Sequence, residues 1–536
     1  MKKYDAVFIG SGHNALIAAA YLARAGHSVL VLEKNDRPGG FCRTEELTLP
    51  GWKHDTYSSA HPLFVSGPAY AELGPELAER GLRYVNCDIA TGVSMPDGRA
   101  GVFPRDGAAA GAEFERLAQG DGAALGALLQ ELGPYAGDIF SLFGMELSSD
   151  AAGAVFRRLF LDPSGRGLTP LAADVAGTAR DVLEGRFSSP VVQAMIAPWV
   201  LHLGRTIDGA GGGIWVPLVL MSLMAGGMAL PEGGSEMLPK ALVKLIEGRG
   251  GKVECNAHVE RIVVKNGRAE AVKVAGGPAY DVGGVVVASV NPDQLYLRLL
   301  AHEDVPAPLV RLAKRFRYGR GCVQVQLALA SPLQWADERL SKTGQFHLTS
   351  GLPSVATSIT QALNGYLPSD PPISLDLPTV LDPARAPEGR AIARLQVLEV
   401  PIHVKADAAG AIDVGGGTWT EDLKNRFADR LIDILCRHAP GARGAILARH
   451  ILSPAEIAAY NPNSGPGDPY GGSHDLAQSY VLRPLPGQPG HQTAVPNVYM
   501  IGSATWPGHG VNGGSGFIVA KKLLAEGALE QTRSPG

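Results

Sequence analysis

A short apolar run, Ala6-Val7-Phe8-Ile9, stops at Gly10-Ser11-Gly12-His13-Asn14-Ala15, and that break constrains the fold more than any other stretch. The run reads as a buried parallel strand. The small residues from Ala15 to Ala25 read as a helix, and Ser28 to Leu32 as a second strand with Glu33 at its end. Strand, glycine turn, helix, strand and terminal acid make a dinucleotide-binding βαβ unit. Gly10 permits the tight turn, Gly12 lets a pyrophosphate approach the backbone, and Ala15 keeps the helix against the sheet. The helix N-terminus offers amides and a partial positive charge to phosphates. Glu33 suits the two hydroxyls of an adenosine ribose and would repel a 2′-phosphate.

With 536 residues the chain has room for more than one domain. Hydrophobic residues at 45% and charged residues at 19% are those of a soluble globular protein. A net charge of -4 without long basic runs gives no footprint for nucleic acid. Cys42, Cys87, Cys255, Cys322 and Cys436 are scattered, with no Cys-x-x-Cys pair. That argues against a disulfide scaffold, a zinc site or a dithiol centre, so no metal is expected and a reducing cytoplasm is the natural compartment. Lys2-Lys3 before an alanine-rich stretch imitates a signal peptide, but Asp5 and the glycine turn interrupt the apolar core it would need. From Gly209 to Pro231 there is no charged residue. Gly211-Gly212-Gly213, Pro217 and Gly226-Gly227 break this stretch, so it reads as a buried helix lining a substrate cavity, with peripheral membrane contact as the alternative and a true span disfavoured.

Residues 110–225 have helical spacing, and Glu236 to Gly248 is amphipathic through Met237, Leu238, Leu242 and Leu245. Lys252 to Cys255 gives a short strand. Val259 to Val264 and Ala269 to Val274 form a hairpin around Asn266-Gly267, a type I′ signal. Further strands are expected at Val285–Ala288, Val323–Leu329, Ala391–Val400 and Val498–Ile501, and helices near 420–437 and at Phe517–Glu526.

The glycine fingerprint, Gly39-Gly40-x-x-Arg43-Thr44, Pro231-Glu232-Gly233-Gly234-Ser235, Leu377 to Pro383, Ala386-Pro387-Glu388-Gly389, Asp475 to Pro484 and the ending Gly502 to Gly513 together resemble the FAD-dependent phytoene desaturase-related flavoproteins of the flavin amine oxidase superfamily. The branch most similar includes the pyridine nucleotide-disulfide oxidoreductase domain-containing proteins. The resemblance is weakest from about residue 100 to 200. It implies an α/β fold: a Rossmann-type, glutathione reductase-like FAD-binding domain with an inserted mixed β-sheet and helical substrate domain. The FAD-binding domain would comprise 1–90, 228–295 and 490–536, and the substrate domain 91–227 and 296–489.

Carried over by that resemblance, Gly10, Ser11, Gly12, His13, Asn14 and Ala15 hold the pyrophosphate, and Glu33 with Lys34 the adenosine side. Gly40, Arg43 and Thr44 meet a phosphate or the flavin edge, and Val259 presents backbone to the adenine. Gly502, Gly510, Val511 and Asn512 lie near the ribityl chain and the pyrimidine end, where backbone N–H groups suit growing negative charge. Trp506 stands where the family often has His, so an indole stacks on or walls the flavin pocket. Ser59 and His61 run toward the ring, and His509 follows Pro507. Tyr480, in a segment with Tyr470 and His474, borders the substrate cavity. The catalytic candidates are Tyr480, His509 and His61, each with packing or hydrogen bonding as the alternative role; His202 and Trp215 are assigned to the apolar wall.

The resemblance implies dehydrogenation of a C–C bond in a small hydrophobic or alicyclic substrate, a cyclic ketone or a polyene, by hydride transfer to flavin N5. C–N oxidation of an amine and a low-turnover flavin-binding interaction protein remain open. No second nucleotide fingerprint is visible, which favours oxygen, a quinone or another acceptor over a bound nicotinamide. The oligomeric state is not legible.

Overall fold

The computed structural model of the protein describes residues 3–161 and 164–529. Five parallel strands form its first sheet core, in the order Val498–Met500, Ala279–Ala288, Lys3–Ile9, Val29–Leu32 and Lys252–Glu254. Residues 6–9, 29–32 and 285–288 are buried, mostly β-branched and aliphatic runs, as a sheet covered on both faces requires, whereas the outer strand Lys252–Glu254 leaves Lys252 exposed and Glu254 half-buried. Val259–Lys265 and Arg268–Val274 continue the sheet as an antiparallel meander onto the outer half of Ala279–Ala288. The hairpin has positive φ at both Asn266 (50°) and Gly267 (75°), the conformation a type I′ turn demands.

The helix His13–Arg24 crosses this sheet and packs between Met237–Gly248 and the last helix, Gly514–Ala525. The last helix begins three residues before the expected Phe517. Its N-terminal glycines make that possible: a Cβ on Gly516 would stand 2.1 Å from the Asn14 carbonyl oxygen. The first and last helices therefore touch backbone to backbone.

A second sheet of seven strands lies apart from the first, in the order Ile446–Leu452, Gly321–Leu329, Ala391–Val400, Ile373–Asp376, Gln345–Leu348, Ile89–Ser94 and Ala100–Pro104. It is mixed, because Gln345–Leu348 pairs parallel with Ile89–Ser94 and the other pairs are antiparallel. Its two faces differ. Val323, Val325, Leu327, Leu395, Val397 and Phe346 bury one face against the amphipathic helix Glu421–His438. The other face carries two polar rows in register: Gln324, Gln396, Ser374 and His347, then Gln326, Arg394, Asp376 and Gln345.

Helices from Gly107 to Gly226 cover that polar face from one side, as the helical spacing there leads one to expect. The uncharged stretch folds into a twelve-residue helix, Trp215–Gly226, with Pro217 in its first turn and Gly227 at φ +57° ending it. No helix among the described residues is long and apolar enough to cross a membrane. The whole is the mixed α/β architecture expected.

Candidate active site

A cavity of about 630 Å³ runs from the carboxyl ends of the parallel strands into the space under the second sheet. Its outer end is mostly backbone. Gly10, at φ +85°, turns the chain from the first strand into the first helix, whose N-terminus carries no side-chain cap and no acid in its first turn. Those amides and their partial positive charge are left for an anion. Gly12 is the informative glycine. Its φ is an ordinary -59°, and a Cβ there would meet only Ser289 Oγ, at 3.8 Å. Neither conformation nor packing excludes a side chain; the added atoms would stand in the cavity.

Glu33 sits at the end of the second strand, buried and lining the cavity. Its Oε2 accepts from Ser11 N (2.9 Å) and Ser11 Oγ (2.5 Å), and Oε1 from Asn35 N (2.8 Å). The carboxylate is thereby aimed, with lone pairs remaining for further donors. A second glycine turn leans on the first, because Gly39 N donates to Ser11 O and a Cβ on Gly40 would lie 3.3 Å from Gly12 Cα.

The far end of the chain closes the same space. Gly516 N donates to Asn14 Oδ1, and His13 reaches the Gly510 backbone. Asn512 Nδ2 lies within 3.3 Å of the Gly508, His509 and Gly510 carbonyls, while its Oδ1 accepts from Gly514 N, so one amide sets the loop. Burial pushes His13 down to about 4 and His509 to about 3, so both are neutral near pH 7. His509 stands edge-on to Tyr470, with ring centres 4.7 Å apart.

Gly10, Ser11, Gly12, His13, Asn14, Glu33 and Lys34 line this outer end, as do Gly40, Ser59 and Val259 and, from the C-terminal loop, Gly502, His509, Gly510, Val511 and Asn512. Other expected site residues stand outside the lining. Ala15 is buried in the first helix. Arg43 is held by Glu45 and Asp36 and lies over the Tyr460 ring. Thr44 Oγ1 donates to Asp55, which also takes Ser59 Oγ, Ser235 N and the fully buried Arg385. Trp506 Nε1 donates to the Leu142 carbonyl, and its ring packs on Phe143 rather than facing the cavity. His61 is enclosed between Tyr84 Oη (3.0 Å) and Ser235 Oγ (2.9 Å), with burial pushing it down to about 3. The Tyr480 hydroxyl accepts from Trp215 Nε1 and donates to Gly211 O.

The inner end is built from side chains that carry no sequence motif, apart from the expected wall residues His202 and Trp215. Trp199, Trp215, Leu218 and Leu223 form an apolar wall, and Gln324, Gln345, Arg394 and Gln396 from the second sheet form a polar floor. His202 joins them: it stacks on Trp199 and shares a hydrogen bond with His347, Nε2 to Nε2, of 3.0 Å. One ring must donate and the other accept, so the pair carries a proton between them. Burial, with His347 and Arg394 nearby, holds His202 well below the usual imidazole range. The signal for the floor was present as alternation, Val323-Gln324-Val325-Gln326 and Arg394-Leu395-Gln396-Val397.

The site thus joins a backbone cradle for a dinucleotide to a walled chamber with hydrogen-bonding groups on one side. Known proteins resemble this chain along nearly its whole length. The pyridine nucleotide-disulfide oxidoreductase domain-containing protein 2 of Mus musculus is 27% identical over 559 residues, covering 98% of this chain and 94% of that protein. A component of the limonene dehydrogenase of Castellaniella defragrans is 24% identical over 568 residues, covering 99% and 96%. Among solved structures, an oxidoreductase from Methanosarcina mazei superposes with a TM-score of 0.63 at 16% identity, covering 97% of this chain and 99% of that one. The pattern of the family described as flavin containing amine oxidoreductase matches residues 16–515. The chain belongs to that family and is an FAD-dependent oxidoreductase.

Proposed function

We propose that the protein dehydrogenates a C–C bond of a small hydrophobic or alicyclic substrate held in the inner chamber. The observation that carries this reading is the lining of that chamber. Aromatic and aliphatic side chains wall it, and among the described residues the inner end is lined by the Arg205 guanidinium and by Arg394, which Asp376 pairs from outside the lining, but by no carboxylate. A cationic amine would meet like charge there without a counter-ion, which disfavours C–N oxidation. The relative acting on limonene by its name supports an alicyclic carbon skeleton.

Bound FAD supplies the two-electron acceptor. The protein does the rest. The backbone amides of Gly12, His13 and Asn14 at the helix N-terminus would hold the pyrophosphate, Glu33 would accept from the ribose hydroxyls, and Val259 would meet the adenine through its backbone. Gly502 and the loop from Gly510 to Asn512 would lie along the ribityl chain and the ring's pyrimidine end, with loop N–H groups suited to growing negative charge. Trp199, Trp215 and Leu218 exclude water and position the substrate. His202, backed by His347, takes up or returns a proton at its remaining ring nitrogen. Oxygen or a quinone is the proposed final acceptor, and a peripheral membrane contact would deliver the most lipophilic substrates.

Anaerobic mixing of the holoprotein with cyclic ketones, polyenes, alicyclic and polyene carboxylates and amines, followed by flavin absorbance, tests the reading. Bleaching by at least one of the non-amine classes is expected. Bleaching by amines alone overturns it in favour of amine oxidation, and no bleaching by any class overturns it in favour of a low-turnover flavin-binding protein. Flotation with liposomes tests the membrane contact.

A further inference from the structure

Two arginines are buried where residues 200–210 meet residues 470–485, and they differ in one respect. Arg483 donates to the carbonyls of Ser473, Gln478, Ala504, Ser503 and Gly471, which uses all the donors a guanidinium has. Arg205, only 7% exposed, donates to the His474 carbonyl at 3.1 Å and to Ser479 Oγ at 3.3 Å. Its remaining N–H groups have no acceptor among the described residues. The Trp215 and Tyr480 rings lie against the guanidinium, with its central carbon 5.1 Å from the Trp215 ring centre and 4.9 Å from that of Tyr480. The N–H groups left over are available to a planar acceptor, which engages a guanidinium with two parallel hydrogen bonds.

Among the described residues no carboxylate pairs with Arg205. Asp475, whose field reaches it, lies half-exposed and pairs with Arg317 instead. Arg394 shows what a neutralised cation in the same chamber looks like, since Asp376 holds it from behind. Tyr480 and Trp215 also lock each other through the Trp215 Nε1 bond to Tyr480 Oη, so the aromatic clamp on Arg205 is rigid. A desolvated cation with free donors is expensive unless an anion completes it. The polar floor opposite, Gln324, Gln345 and Gln396, gives an oxygenated ligand further partners, which a bare hydrocarbon would leave unused.

We infer that the substrate is not a pure hydrocarbon but an apolar ring or chain bearing a carboxylate, and that Arg205 reads that carboxylate through its remaining N–H groups. The inference rests on the proposed function only in taking the inner chamber as the substrate site. It makes Arg205 a specificity-determining residue and Trp215 with Tyr480 its positioning residues.

Benzoate and benzamide make the test, because they share a shape, differ in charge and have no saturated C–H bond to oxidise. Calorimetric titration of the holoprotein is expected to give benzoate saturable binding tighter than benzamide by about tenfold or more. Arg205→Met should erase that preference with FAD absorbance unchanged, and Arg205→Lys should keep part of it. Equal affinities in the wild type, or a preference that survives Arg205→Met, overturns the inference. Should Arg205→Met fail to hold FAD, Arg205→Lys and the fall of benzoate affinity with added salt decide: a preference unmoved by both overturns it. Failure of the dehydrogenation reading is seen separately, in flavin bleaching, and leaves the benzoate preference intact.

Discussion

The two seven-stranded sheets use opposite strategies. The first is apolar through the buried stretches of its parallel strands and offers its ligand strand ends, glycine turns, a helix N-terminus and the Glu33 carboxylate. The second offers side chains from one face, with Gln324, Gln345, Arg394 and Gln396 on three of its strands lining the chamber. A ligand common to a large family can be gripped by backbone, which any sequence supplies. A ligand particular to one protein has to be read by side chains, and those sit on the second sheet and the helices over it.

Acid should loosen both regions, since burial lowers His13, His61 and His509 around the first as it lowers three histidines around the second. Burial lowers His347 to about 3 and His54 and His438 to about 4, and all three contact the second sheet or its flanking elements. Each stays neutral in the folded protein while the unfolded chain takes up a proton below about 6.5. Stability therefore falls as pH drops from about 6.5 toward 4, by about 1.4 kcal/mol per pH unit for each histidine. Hydrogen exchange should show protection falling in both sheets between pH 7 and pH 5; protection unchanged in either sheet would mean that its histidines are not held neutral by burial.

Arg385 ties the regions together. It bonds Asp55, Asp382 and the Pro231 carbonyl, and Asp55's own carbonyl accepts from Gln326 of the second sheet. Arg385→Met leaves Asp55 buried without its cation and should lose about 3–5 kcal/mol. Burial would raise the Asp55 pKa, but Arg385 and hydrogen bonds from Ser235 N and Thr44 hold it below the usual carboxylate range. Its stabilisation is present above the unfolded carboxyl pKa of about 4 and fades as pH falls through the lower folded value, so the variant should show a shallower acid limb below pH 4. Thermal melts across pH measure both.

Within the first region, Gly516→Val should disrupt the contact with Asn14 and destabilise by about 2–3 kcal/mol, lowering FAD retention together with melting temperature. Glu33→Gln keeps the shape near Ser11 but weakens charge-assisted bonds, so FAD affinity should fall by about 1.5 kcal/mol or tenfold with little change in the apoprotein's melting point. Unchanged FAD affinity would remove Glu33 from the cofactor site. In the second region, Gln396→Leu should leave FAD retention alone and shift only ligand affinity, by about 1 kcal/mol, in titrations with benzoate.

What the sequence made legible follows the same division. The turn at Gly10–Asn14, the acid at Glu33 and the Asn266-Gly267 hairpin are local, because glycine conformation and residue alternation write themselves into a few neighbouring positions. The floor is not local. Gln324, Gln396, Ser374 and His347 become a row only through the pairing of four strands far apart in the chain. The surroundings of His61 and Tyr480, both named through the family resemblance, are non-local too: Ser235 encloses one, and Trp215 with Gly211 occupies the hydroxyl of the other. Arg205 carried no motif at all, and its meaning comes from what fails to pair with it.

The contact between Asn14 and Gly516 spans 502 residues of chain. A growing polypeptide can make the opening nucleotide turn within its first few dozen residues, yet it lacks the wall that shuts the pocket until residues 502–516 have been added. Enclosing a dinucleotide consequently waits for the far stretch of chain, and loss of the final helix would strip packing from the first helix along with that wall.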